Sequence, residues 1–282
     1  MVVVNAVNVG LCLALAWPSS PWGGWGLMGI AGAAATAWIV GSLCILFELL
    51  RGRSRVRLHL RYLRPRLAWI VRLVRVGLPS FFENGAQWLG NFVVIAMVGR
   101  LPFAGAIGAH IVTVRIEAMS YMPGFAMGLA AATLTGQYLG AGDPRTARRA
   151  VWWCWAYGAG LMTVLGLLFF LIPDVFVRIV TDKPEFLAAS PPLLRIVGPA
   201  QTGFACCLIF SMALRGAGDT RTAMLLTFGS TFLVRVPLVW LLAMHLGYGL
   251  VGVWIALSFE LVFRGLLFLG AFVHGHWARV RV

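Results

Sequence analysis

Charge is scarce in this chain. Only 11% of its 282 residues are charged, nine are acidic, and a single one, Lys183, is lysine. An ordinary soluble domain carries about 25% charged residues. With 60% hydrophobic residues and a mean hydropathy of +0.87, there is too little polar surface to cover a globule in water. A soluble protein is excluded, and an integral membrane protein remains. Cysteine is also sparse. Cys12, Cys44, Cys154, Cys206 and Cys207 all lie in apolar runs with no CxxC or Cys/His spacing, which excludes a zinc site and a disulfide framework. HExxH, GxSxG, a Walker Lys-Ser/Thr pattern and clustered acid/His spacings are missing too, so the sequence does not read as an enzyme, and no cofactor is expected.

What the chain has is apolar length. Eight runs, 2–17, 27–47, 77–99, 105–132, 150–172, 191–213, 223–245 and 249–273, approach or exceed the roughly 20 residues needed to cross a bilayer. The fold class expected is all-α integral membrane, with about eight transmembrane helices. The first run is short, but no basic residue precedes it, so it reads as a membrane helix rather than a signal peptide. If the runs alternate in direction, sixteen basic residues fall on one side: nine in 51–75, then Arg145, Arg148, Arg149, Arg215, Arg221, Arg279 and Arg281. The other side has four, Arg100, Arg178, Lys183 and Arg195. The positive-inside rule makes the richer side cytoplasmic, with both termini there, in a multi-pass protein of the inner (plasma) membrane. Basic residues spread along membrane ends argue against nucleic acid, and segment 51–75 reads as a linker lying on anionic lipid. Trp17, Trp22 and Trp25 flank the first outer turn as interfacial aromatics do.

An internal repeat organises the chain. GAGDPRTA at 140–147 returns as GAGDTRTA at 216–223, each time just after a span. Gly is expected to stop one helix and Asp to cap the next. A fainter echo links Gly26-Leu27-Met28-Gly29 with Gly249-Leu250-Val251-Gly252. It implies that helices 2–17 and 27–47 correspond to 223–245 and 249–273 in two homologous halves. Two spans precede the basic linker and six follow it, so equal halves would place about four more helices ahead of Met1.

Several stretches, taken in order, resemble the multidrug and toxic compound extrusion (MATE) transporters. They are Gly77-Leu78-Pro79, the run Ile116 to Phe125 followed by Gly136-Gln137 and GAGDPRTA, Leu214-Arg215-Gly216-Ala217-Gly218-Asp219, and Arg235-Val236-Pro237-Leu238. The resemblance implies two six-helix bundles around a cleft, and export of organic cations or drugs by antiport with protons or sodium ions. It implies that residues 1–50 are the last two helices of the first bundle, 51–76 a cytoplasmic linker, and 77–282 a complete second bundle. The expected partners are a small organic cation and membrane lipid, with either a further N-terminal bundle or a second copy facing the cleft. By itself the chain is expected to give no efflux. A lipid-linked oligosaccharide flippase of related fold and a truncated, non-functional transporter stand beside this reading.

Six charged residues lie within the spans: Arg115, Arg235, Arg264, Glu83, Glu117 and Glu260. Intramembrane charges face a bundle interior or a wet cavity. Glu83, Gln87 and Asn91 share one helix face, with Asn84 beside it; His110, Thr113, Glu117 and Ser120 share another, next to Tyr121. These eight, His110 apart and Asn84 and Tyr121 included, are the expected ion-coupling and substrate residues. His110 reads as packing, and Pro123-Gly124 is expected to bend or break its helix. Glu260 and Arg264, at i and i+4, read as a structural ion pair, with Arg115 and Arg235 as further structural charges. An acid locked to arginine carries no ion, which favours Glu83 and Glu117 over Glu260.

Overall fold

Every described element of the computed structural model is helical, and the described residues are 2–16, 24–52 and 67–279. Most of the linker expected over 51–76, together with Trp17 and Trp22, lies outside them. Residues 67–76 already belong to helix. The chain divides into two compact units, Met1–Leu67 and Ala68–Val282.

The first unit pairs α1 (Val2–Ala16) with α2 (Gly26–Arg51). Gly29, Ala33, Ala37 and Gly41, one per turn, form the buried stripe of α2. A Cβ on Gly29 would stand 2.9 Å from the Leu15 carbonyl oxygen. Small residues let membrane helices approach closely where no hydrophobic effect drives them together. The rest of α2 is exposed or partly exposed.

The second unit contains α3 (Leu67–Val98), α4 (Ala106–Gly140), α5 (Pro144–Leu171), the short α6 (Pro173–Val180), α7 (Pro184–Gly216), a rod from Thr220 to His245, and α10 (Gly249–His274). Within the rod, α8 (Thr220–Gly229) and α9 (Val236–Val239) are each followed by a π-helical turn, Ser230–Arg235 and Trp240–His245. Helix α7 is the hub, packed on α4, α5 and α10. At its crossings the backbones nearly touch. A Cβ on Gly198 would meet the Gly166 carbonyl oxygen of α5 at 2.5 Å, and one on Gly265 of α10 would meet that of Gly203 at 2.2 Å. Gly198→Val is therefore expected to abolish recovery of monodisperse protein, because the obstacle is backbone and cannot turn aside. Gly160→Ala, with nothing within 4 Å of the added carbon, should leave yield and melting temperature unchanged in the same size-exclusion and thermal assays.

Five of these helices are both long and apolar enough to cross a membrane: Gly26–Arg51, Pro144–Leu171, Pro184–Gly216, Thr220–His245 and Gly249–His274. The expected count was eight. Helix α1 has 15 residues, and α3 and α4 are long, at 32 and 35 residues, but polar side chains lower their hydropathy. Helix ends also differ from the apolar runs. Helix α4 continues to Gly140 rather than 132, α5 begins at Pro144 rather than 150, and α7 at Pro184 rather than 191. Apolar runs mark what lipid or core covers, whereas Asp caps and a first-turn proline mark where helix begins. So Arg145, Arg148 and Arg149, expected in a turn, lie in the first turns of α5. Helix α4 is not broken at Pro123. The lost amide bond is outweighed by packing there, where Gly124 admits Met162 and Leu208 side chains.

The repeated octapeptide builds the same turn twice. Gly142 and Gly218 take φ of 78° and 84°. Asp143 and Asp219 then cap the next helix, accepting from the amides of Thr146 and Thr222 at 3.0 and 3.3 Å. The Thr146 hydroxyl and amide hold the Asp143 carboxyl below its ordinary range. The fainter echo is also structural. Gly24 and Gly26 have φ of 95° and 48°, Gly247 and Gly249 of 73° and 56°. The amide between each pair, on Trp25 and Tyr248, donates to Leu15 at 3.3 Å and Leu242 at 3.1 Å.

Candidate functional site

Helix α3 reaches the bundle through polar side chains. On its inner face Glu83, Gln87 and Asn91 follow one another at one-turn spacing, and each meets a different arginine. Arg215 holds Glu83 with two bonds, Nη2 to Oε1 at 2.6 Å and Nε to Oε2 at 3.1 Å, and Thr227 adds a third at 2.9 Å. Arg264 donates to Gln87 at 2.7 Å, and Arg235 to Asn91 at 2.9 Å. Arg235 and Arg264 in turn flank Glu260, at 2.7 and 3.1 Å, and Ser230 donates to the same carboxylate. Ser230 and Arg235 open and close one π-helical turn. That single widened turn aims both at Glu260 of α10. Such turns recur at functional sites.

Above this ladder a cavity of 460 Å³ opens among α3, α4, α7, the rod and α10. Gln87, Asn91, Glu117, Arg115, Arg235 and Arg264 line it, with Tyr121, Phe204 and Trp254 as aromatic walls. Its size suits a small organic molecule. Glu117 forms no ion pair among the described residues; its Oε1 is buried and accepts no hydrogen bond from them, while the Gln201 side chain of α7 and the Arg235 charge both act on the carboxyl. His110 Nδ1 and Trp254 Nε1 are likewise buried without a hydrogen bond among the described residues. A smaller cavity of 260 Å³ continues past Glu83, Asn84, Arg215 and Thr227. The Tyr121 and Phe204 rings, 6.0 Å apart, and the Arg264–Gln87 bond border both spaces.

The sequence profile of the MatE family matches residues 79–241, which take in Glu83, Gln87, Asn91, Glu117, Arg215 and Arg235 but stop short of Glu260 and Arg264. The chain belongs to the MatE family. It is 27% identical over 282 residues to the probable multidrug resistance protein NorM of Thermotoga maritima, covering 98% of this chain and 59% of that protein. The corresponding Brucella suis protein is 30% identical over 250 residues, covering 83% and 52%. The fold matches a structure described as the outward-facing conformation of a multidrug resistance MATE family transporter of the MOP superfamily, with TM-score 0.81 at 20% identity, across 99% of this chain and 62% of that one. This MatE chain thus spans little more than half the length of the relatives it matches. It is a multi-pass membrane protein of a multidrug efflux transporter family, whose members are transporters rather than enzymes.

Of the residues expected at the site, Gln87, Asn91, Glu117 and Tyr121 share the 460 Å³ cavity of the MatE chain, and Glu83 and Asn84 line the 260 Å³ one. Asn84 donates to the Ser80 carbonyl of its own helix. Thr113 and Ser120 are fully buried and line neither. Thr113 bonds the Ala109 carbonyl at 2.8 Å, and Ser120 bonds Gln201 of α7 at 2.8 Å. The premise that Glu83 is an unlocked acid fails, because Arg215, placed by sequence in a loop, is the last turn of α7 and reaches it. The Glu260–Arg264 pair is present, but sequence spacing missed Arg235 as its third member. Gln201, Thr227 and Ser230 were also missed. Gln201 carried a signal, being an amide in mid-span between Pro199 and Gly203.

Proposed function

We propose that this chain is the larger part of a secondary antiporter that exports small organic cations, drugs among them, in exchange for protons or sodium ions. Residues 1–50 form the last two helices of a first bundle, and the second bundle begins with α3 at Leu67, the two joined by a cytoplasmic linker, in the inner membrane. Further helices or a second copy supply the opposite wall of the cleft. One observation carries the reading: Glu83 and Glu260 are paired with arginines, whereas Glu117 forms no ion pair among the described residues and lines a ligand-sized cavity with a buried Oε1 that accepts no hydrogen bond. A single carboxylate that takes either a cationic substrate or the coupling ion makes the two exclusive, which is what antiport requires. The guanidinium of Arg115, in the same cavity with no ion pair among the described residues, favours compounds that bear an acidic group as well.

The test is competition. Binding of ethidium to the purified chain in detergent should weaken as pH falls or as sodium rises, one ion against one dye. Binding indifferent to both would end the reading.

Orientation has its own test. In a variant lacking the five native cysteines, a cysteine at Asp182 should react with an impermeant reagent added outside intact cells, and one at Asp143 should not. The reverse pattern would invert the topology.

A further inference from the structure

The start of α5 carries a charge pattern that the fold does not need. Arg145, Arg148 and Arg149 fall in its first two turns, where the helix dipole is already positive and repels cations. Arg145 and Arg149 are four apart, so they also repel each other. No acid among the described residues forms an ion pair with any of the three. Asp143, the nearest, is engaged as the cap. Among the described residues Arg148 has a hydrogen-bond partner, the Val273 carbonyl at 2.5 Å, and Arg145 feels the charge of the capping Asp143 without bonding it in an ion pair.

The internal repeat shows what the cap itself requires. The second copy makes the same turn and the same Asp cap. Yet Met224, Leu225, Phe228 and Gly229 stand where the first has Arg148, Arg149, Trp152 and Trp153. Arg148, Arg149 and the two tryptophans are therefore additions to the motif, while Arg145 keeps the place that Arg221 holds in the second copy. Together they line an open groove of 560 Å³, floored by Trp152, Trp153, Trp155 and Ala156. Beyond the groove the same side of α5 is apolar and bare: Trp153, Tyr157, Leu161 and Val164 are 54%, 63%, 52% and 58% exposed, and Trp153 stacks on Tyr157.

We infer that this groove is a binding site for an anionic phospholipid. The headgroup phosphate sits between Arg145 and Arg149, which match phosphate with paired donors. One acyl chain runs along Trp153, Tyr157 and Leu161. The unpaired positive charge calls for an anion, and the bare apolar strip continuing from it selects a lipid over a free phosphate ion. Occupancy relieves the repulsion at the helix start and fixes the end of α5.

The full chain, purified in detergent, tests this by native mass spectrometry with phosphatidylglycerol and phosphatidylcholine. The parent should retain one phosphatidylglycerol in preference to phosphatidylcholine. Arg145→Gln/Arg149→Gln, which keeps helix propensity, should weaken that preference roughly 30-fold, the usual strength of two basic side chains at an anionic surface. A charge-matched Arg100→Gln/Arg178→Gln variant, at exposed arginines away from the groove, should keep it. Circular dichroism identical to the parent confirms that the variants fold. Equal loss in both variants would show a diffuse charge effect and overturn the site. So would competition by millimolar inorganic phosphate, which would show an anion site without lipid selection.

Discussion

Glu260→Gln is expected to cost about 3–5 kcal/mol of stability, the largest loss from any single interior polar substitution here. Glu260 is completely buried between Arg235 and Arg264, themselves about 95% buried. The amide keeps the shape but leaves two guanidiniums facing each other in a low-dielectric interior. Gln87 and Asn91 supply each arginine with only one neutral acceptor, which does not offset a lost carboxylate. Thermal unfolding in detergent checks this. Arg264→Met added to Glu260→Gln removes one stranded charge, so the double variant should recover part of the loss. A single variant that melts within a degree or two of the parent would show that water, not Glu260, solvates the arginines.

Glu117→Gln should do the opposite: leave folding nearly intact and remove ion dependence altogether. Its Oε1 has no hydrogen-bond partner to lose, and the amide that replaces the carboxyl can still bond to Gln201. What disappears is the exchange of cation for proton. Below the pH at which Glu117 is protonated, competition by one proton changes ligand affinity tenfold per pH unit. In the variant that slope should be zero. In vesicles that transport, ion-driven efflux should fall to background. Glu83→Gln provides the contrast. It frees Arg215, which is 35% exposed and can turn to water, so a modest loss of stability is expected, with the pH slope retained. A slope retained in Glu117→Gln and lost in Glu83→Gln would move the coupling site down the ladder.

The sequence by itself determined the membrane class, because composition leaves too little polar surface for water. It determined both Asp-capped turns, because a glycine at positive φ and a capping carboxylate act over four or five residues. It placed six charges in the interior and grouped Glu83, Gln87 and Asn91 on one face, because helical spacing is local. The tertiary structure alone decided which charges meet. Arg215 lies 132 residues from Glu83 and Arg235 lies 25 from Glu260, distances over which spacing says nothing. The crossings of α7 and the π-helical turn at Ser230–Arg235 set those partners. Periodicity put Thr113, Glu117 and Ser120 on one face; packing turned Thr113 and Ser120 to internal hydrogen bonds and left Glu117 at the cavity. A helix face is some 100° wide, and only the neighbouring helices decide which part of it borders a cavity and which part is sealed.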